Sequence, residues 1–166
     1  MANALAQQPC VKMAGNENPP KKILFVCTGN TCRSPMAAAM LGHLAEGAGG
    51  QPVIQATSAG LHVMPGAPIS AHAAAALEKA GVCAARYAAH RARFVDAAMV
   101  AEADEVVGMT AAHAMELMLR FPEAASKIKT LPMDIADPYG GSAQVYEDCL
   151  AQLQYCLQLA YFGGER

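Results

Sequence analysis

From Lys22 the sequence alternates short apolar runs with longer stretches whose apolar residues return at helical spacing. That alternation predicts parallel strands joined by crossover helices, since a parallel neighbour can begin only after the chain has been carried back along the sheet. KILFVC supplies a first strand. Ser34 and Pro35 then offer an N-cap and a first-turn residue to a helix that carries Met36, Met40, Leu41 and Leu44 and ends near Gly47. PVIQATSAG predicts a second strand, followed by a loop rich in Gly and Pro and an alanine-rich helix from about Ile69 to Ala80, stopped at Gly81. RFVDAAMVAEA predicts a third helix and DEVVGM a third strand. Thr110 can cap a fourth helix on which Met115, Met118 and Leu119 are expected to face inward before Pro122. KIKTL reads as a short fourth strand, placed at an edge by its lysines. After a loop from Pro132 to Ser142, Tyr146, Cys149, Leu150, Leu153, Leu157 and Ala160 form the apolar stripe of a last helix. The expected architecture is a small three-layer α/β domain.

A chain of 166 residues can bury one good core and not comfortably two. The expected organisation is a flexible tail over residues 1–20, ending in GNENPP, and one domain over 21–166. Twelve basic against 14 acidic residues leave a net charge of −2, and aromatic residues are 5% of the chain with no tryptophan. Nucleic acid is therefore not an expected partner, for want of both a basic field and stacking platforms. Six cysteines accompany a composition hydrophobic enough to fold without staples, and no apolar run has the length of a signal peptide or a membrane span. The reducing cytoplasm is the expected location, with no membrane partner.

In an open α/β sheet, ligands bind at the carboxyl ends of the strands, and there this chain places CTGNTCR. Six backbone amides between Thr28 and Arg33 can curl inward as a nest, with Gly29 expected to supply the conformation a branched residue would resist. The helix that follows adds free amides and the positive end of its dipole, and Arg33 can clamp two oxygens of a tetrahedral phosphate. Cys27 lies in the same field. Its pKa is expected to be lowered, with the Ser34 hydroxyl as a further donor, which would make it a competent nucleophile. Taken alone, Cys27 is more simply a buried strand residue; the whole CX5RSP stretch favours the nucleophile. The loop lacks the glycine and lysine pattern of a Walker A motif and the Rossmann glycine triplet, and the spacing of Cys27 and Cys32 does not suit a zinc site.

VCTGNTCRSPMA resembles the signature of the low-molecular-weight protein tyrosine phosphatases, and the likeness runs from Lys22 to about Phe162. TSAG at 57–60, HRAR at 90–93, ADEVVGMT at 103–110 and DPYGG at 137–141 are further matches. The resemblance implies a four-stranded parallel sheet flanked by helices, and a cysteinyl-phosphate mechanism with no metal and no cofactor. It implies Cys27 as nucleophile, Arg33 and the loop from Thr28 to Ser34 as the phosphate cradle, and Asp137 as general acid. Pattern alone gives Asp137 a second reading, a turn residue before Pro138. By the same resemblance Asn30, Ser34 and Ser58 brace the loop, and Cys32 is a redox partner able to close a reversible disulfide on Cys27. Phosphorylated proteins are the implied substrates, and phosphate, sulfate or arsenate would fit the same nest.

Thr31 departs from the bulky aliphatic residue expected in tyrosine-specific members. The loop CTGNTCR and the DPYGG segment are instead similar to the bacterial branch of protein arginine phosphatases, which makes Thr31, with Tyr139 and His62, the expected specificity residues. A phosphotyrosine-specific enzyme is the alternative. A thioredoxin-coupled arsenate reductase would need two further cysteines in a mobile segment, and none occurs from Arg86 to Met109. A noncatalytic phosphopeptide-binding module would have lost the nucleophile or the acid, and both are present. His90 and Arg93 are expected to anchor structure, and His43, His72 and His113 to make solvent or helix contacts.

Overall fold

The computed structural model describes residues 18–49 and 53–163. Of the expected tail, residues 1–17 lie outside the described residues. Four parallel strands, β1 (Lys21–Cys27), β2 (Ile54–Gly60), β3 (Glu105–Gly108) and β4 (Ile128–Thr130), form one sheet in the order β2-β1-β3-β4. Five helices connect or follow them: α1 (Arg33–Gly47), α2 (Ala71–Lys79), α3 (Ala97–Glu102), α4 (Ala111–Arg120) and α5 (Ala143–Tyr161).

β1 is covered on both faces, and its alternation divides two cores. Ile23, Phe25 and Cys27 belong to the layer that holds α1, α2 and α5, while Leu24 and Val26 pack with Val100, Leu117 and Ile128 on the other side. Each fully buried side chain of this size is worth about 1.5–3 kcal/mol. β4 is an edge, as its lysines predict. Lys129 reaches Glu105 at 2.8 Å, and Lys21 of β1 meets the same carboxylate at 2.6 Å, so both lysines pair across the sheet and Lys129 also guards its margin.

The structure corrects four local expectations. Ser34 is not the N-cap of α1; Cys32 holds that position, and the Ser34 side chain turns back beneath the loop. α3 is shorter than RFVDAAMVAEA because Arg93 and Val95 are engaged by Gly60 through backbone bonds of 2.9 Å, and helix begins only after Asp96 accepts the Met99 amide at 2.8 Å. On α4, Met115 and Leu119 are 65% and 82% exposed and Met118 is also exposed; His113, Ala114 and Leu117 face the sheet instead. On α5, Ala160 is exposed and Cys156 completes the buried stripe.

Candidate active site

β1 lies between β2 and β3, and the chain leaves its carboxyl end toward one layer while that of β3 leads toward the other. Such a divergence opens a crevice where the strand order reverses. The crevice here is a cavity of about 220 Å³ lined by all of residues 27–33 together with Asp137 and Tyr139. Those residues, more than 100 positions apart at the extremes, are thus brought together at one cavity. Ser34 and Ser58 lie behind the loop. His62 is not among the lining residues; its amide donates to Thr28 O at 2.9 Å, and its exposed ring pairs with Glu116 at 3.0 Å.

Asn30 organises the loop. It is fully buried and is the one non-glycine residue with positive φ, 57°, among those described. The left-handed conformation expected at Gly29 therefore falls one residue later, where asparagine tolerates it better than most side chains. The Asn30 amide group donates to Ser34 Oγ at 2.9 Å and to Ser58 Oγ at 3.0 Å, and its Oδ1 accepts the Arg93 amide at 3.0 Å. Its carbonyl oxygen accepts His90 Nε2–H at 2.7 Å. The HRAR segment is thus a strap beneath the loop, and Arg93 Nε ties it further to Ser58 O at 3.1 Å. Gly60 must lack a side chain at this crossing: a Cβ would stand 2.7 Å from Thr28 O and 2.5 Å from Val63 Cγ2.

The Cys27 sulfur is 2.9 Å from Ser34 Oγ, itself 3.3 Å from Ala59 O. Burial pushes the Cys27 thiol up, and this outweighs the lowering by the Ser34 hydroxyl and amide, the Asn30 amide and the Arg33 charge. The expected net lowering is not met; the field of the loop opposes a desolvation larger than the sequence suggests. Arg33 is buried, donates to Ile135 O at 3.0 Å, and holds a second guanidinium nitrogen 3.6 Å from Asp137 Oδ2. Asp137 has the turn geometry of its second reading, since its other oxygen accepts the Tyr139 amide at 3.1 Å in an Asx turn. Tyr139 stands 81% exposed at the cavity.

Thr31 is half-buried, with its hydroxyl 3.7 Å from Cys32 Sγ and its carbonyl oxygen accepting the Ser70 amide at 3.0 Å. Cys32 Sγ also meets Tyr146 OH at 3.4 Å and Ser70 Oγ at 3.6 Å. Cys27 and Cys32 are both free thiols. Sequence reasoning missed His113. Its ring is buried, with Nε2 2.9 Å from Thr28 Oγ1 and Nδ1 3.1 Å from Thr110 Oγ1, so it joins the start of α4 to the loop. Burial, then the Arg33 charge, lowers its pKa. No local signal marks its contact with the loop, because Thr28 is 85 residues away.

The family model described as low molecular weight phosphotyrosine protein phosphatase matches residues 22–161. The chain belongs to that family. It is accordingly a cysteine-dependent phosphoprotein phosphatase. A protein-arginine-phosphatase of Geobacillus stearothermophilus is 39% identical over 142 residues, covering 81% of this chain and 90% of the relative. A probable low molecular weight protein-tyrosine-phosphatase, EpsP of Ralstonia solanacearum, is 33% identical, covering 81% and 89%. Among solved structures, a cysteine-to-serine mutant of the YwlE arginine phosphatase with its active-site serine phosphorylated superposes with a TM-score of 0.78 at 30% identity, covering 87% of this chain and 97% of that one. Among the described residues no helix is long and apolar enough to cross a membrane.

Proposed function

We propose that this family member hydrolyses phosphoarginine side chains of proteins through a phosphocysteine on Cys27, with residues 21–166 as its catalytic unit. The observation that carries the reading is the convergence of Cys27, Arg33 and Asp137 on one cavity whose wall includes the polar Thr31. In the first step the Cys27 thiolate attacks phosphorus and the P–N bond breaks. Arg33 and the loop amides hold the three equatorial oxygens, and Asp137 donates the proton that the departing guanidine nitrogen takes. In the second step Asp137 accepts a proton from water, the resulting oxygen nucleophile attacks phosphorus, and the P–S bond breaks to return the thiolate and release phosphate. The brace of Asn30, Ser34 and Ser58 keeps the amides aimed before substrate arrives.

Thr31 favours a guanidinium over a phenyl ring because its hydroxyl can meet the nitrogens or orient the water, whereas an aliphatic side chain there would pack on an aromatic face. The Geobacillus relative's name agrees with that reading. Gly140 and Gly141 leave the entrance beside Tyr139 without a second aromatic. The EpsP likeness favours phosphotyrosine as the second reading. His62 lies close enough to Thr28 in the chain path to touch a substrate peptide, and the Cys27–Cys32 pair is a reversible guard against oxidation. Both roles suit an enzyme of the reducing cytoplasm whose site also accepts inorganic phosphate or sulfate.

The deciding experiment measures kcat/KM on one peptide scaffold carrying phosphoarginine or phosphotyrosine, for the wild type and Thr31→Ile. The expected result is a preference for phosphoarginine that falls by about tenfold or more in the variant, the scale of one well-placed contact. A preference for phosphotyrosine that the substitution barely changes would overturn the arginine reading and leave the cysteine mechanism standing.

A further inference from the structure

Behind the loop, and sharing no lining residue with the catalytic cavity, lies a second cavity of about 310 Å³. Arg86, Arg91 and Arg93 line it with His90 and Tyr87, and no acidic residue does. Its volume is at the low end of the roughly 300–1,000 Å³ typical of small-ligand sites. Arg91 and Arg93 have no acidic partner among the described residues; their side chains donate to the backbone oxygens of His90 at 2.7 Å and Ser58 at 3.1 Å. Arg86 is held in place from α1. Its guanidinium pairs with Glu46 and lies on Gly42, where a Cβ would collide with it, while its Nε is buried without a hydrogen-bond partner among the described residues. Arg91 and Arg93 thus bring two charges without carboxylate partners to a cavity that also holds the Arg86–Glu46 pair, and an anion seated there would meet both through charge-assisted hydrogen bonds.

We infer that this cavity is a second anion site, taking a phosphate group either free or carried by a small molecule, and that its occupancy braces the catalytic loop through the strap of residues 90–93. The strap supplies the route: His90 and the Arg93 amide grip Asn30 from the side opposite the catalytic cavity. An anion held by Arg91 and Arg93 makes these contacts only while the strap is in place, and so holds the strap against Asn30. Pro35 and Tyr87 offer apolar surface to the body of a phosphate ester. The bracing, but not the binding, rests on the reading of residues 27–33 as the phosphate-transfer loop.

Calorimetric titration of the full chain with inorganic phosphate tests the site. The wild type should bind two phosphates, and Arg91→Glu one, through loss of the second site or its weakening by about tenfold or more. Arg91→Lys should restore part of the second site. Arg33→Met, which removes the clamp of the catalytic cavity, should keep the second phosphate. If Arg33→Met does not fold, the wild type and Arg91→Glu still decide the matter. One phosphate on the wild type, or two on Arg91→Glu, overturns the inference. Ribose 5-phosphate binding the second site more tightly than phosphate identifies an ester as its occupant, and equal or weaker binding identifies the free ion. Saturating the second site with whichever of the two binds it more tightly should slow amide hydrogen exchange at Asn30 and Arg93 more in the wild type than in Arg91→Glu; equal exchange in the two proteins overturns the bracing. These stoichiometries do not depend on Cys27, so failure of the phosphatase reading, seen as turnover retained in Cys27→Ser, is a separate result.

Discussion

Replacing Asn30 by alanine should cost about 4 kcal/mol of stability and disable the loop. The side chain is fully buried and makes three hydrogen bonds, to Ser34, Ser58 and the Arg93 amide, each worth about 1 kcal/mol net. Alanine would also have to hold φ near 57°, at a further cost of about 1 kcal/mol. Asn30→Gly loses the same three bonds and keeps the backbone at ease, although glycine gives the unfolded chain more freedom. It should therefore stand above the alanine variant by roughly 1 kcal/mol or slightly less. Urea unfolding of the three proteins supplies the stabilities. A domain whose stability is in the usual range of about 5–15 kcal/mol stays folded through either change, so turnover can be measured on the same samples. Both variants should lose kcat by about tenfold or more, since the loop amides are no longer aimed. An alanine variant within about 1 kcal/mol of wild type would refute the hydrogen-bond account, and a glycine variant less stable than the alanine one would refute the strain account.

Ser34→Ala removes the side-chain bond that lowers the Cys27 pKa, so the thiol should rise further and alkylation by iodoacetate at neutral pH should slow; an unchanged pH profile of alkylation would show that Ser34 does not support the thiolate. Asp137→Asn should slow turnover of a poor leaving group more than that of an activated phenol ester, and equal slowing would remove Asp137 from the role of proton donor. His90 and His113 both have lowered pKa values, chiefly through burial, so below about pH 6.5 the unfolded chain binds protons that the native state refuses. Stability should therefore fall as pH drops through that region toward the folded pKa values. His113→Gln, which keeps a polar contact to Thr28, should flatten part of the slope in urea unfolding between pH 5 and 7, and an unaltered slope would exclude His113 from the linkage.

The site was legible wherever its chemistry was local. Cys27, Arg33 and the loop between them lie on one strand–loop–helix unit, so spacing alone proposed an anion nest. Asp137 was harder, because a carboxylate before Pro138 looks the same whether it turns the chain or lines a cavity; the structure has it do both. Positions that depend on distant partners were read less well. Helical spacing marked Met115, Met118 and Leu119 as a plausible inner face, but α4 has two apolar arcs and only docking against β3 and β4 selects the one with Leu117. Ser34 looked like an N-cap by residue type, and the pull of Asn30, Cys27 and Ala59 turned it inward instead.

By itself the sequence determined the layered α/β plan, KILFVC as its first strand and the place of CTGNTCR at that strand's carboxyl end, because strand, turn and helix patterns are set by neighbours a few residues apart. Tertiary structure alone decided the rest. It brought His113 to Thr28 and Asp137 to Arg33, gave the left-handed turn to Asn30 rather than Gly29, and buried Cys27 deeply enough to reverse its expected pKa shift. It also gathered Arg86, Arg91 and Arg93 around one cavity. Burial, field and hydrogen-bond satisfaction are sums over everything that surrounds a group, and most of what surrounds these groups is far away in the chain.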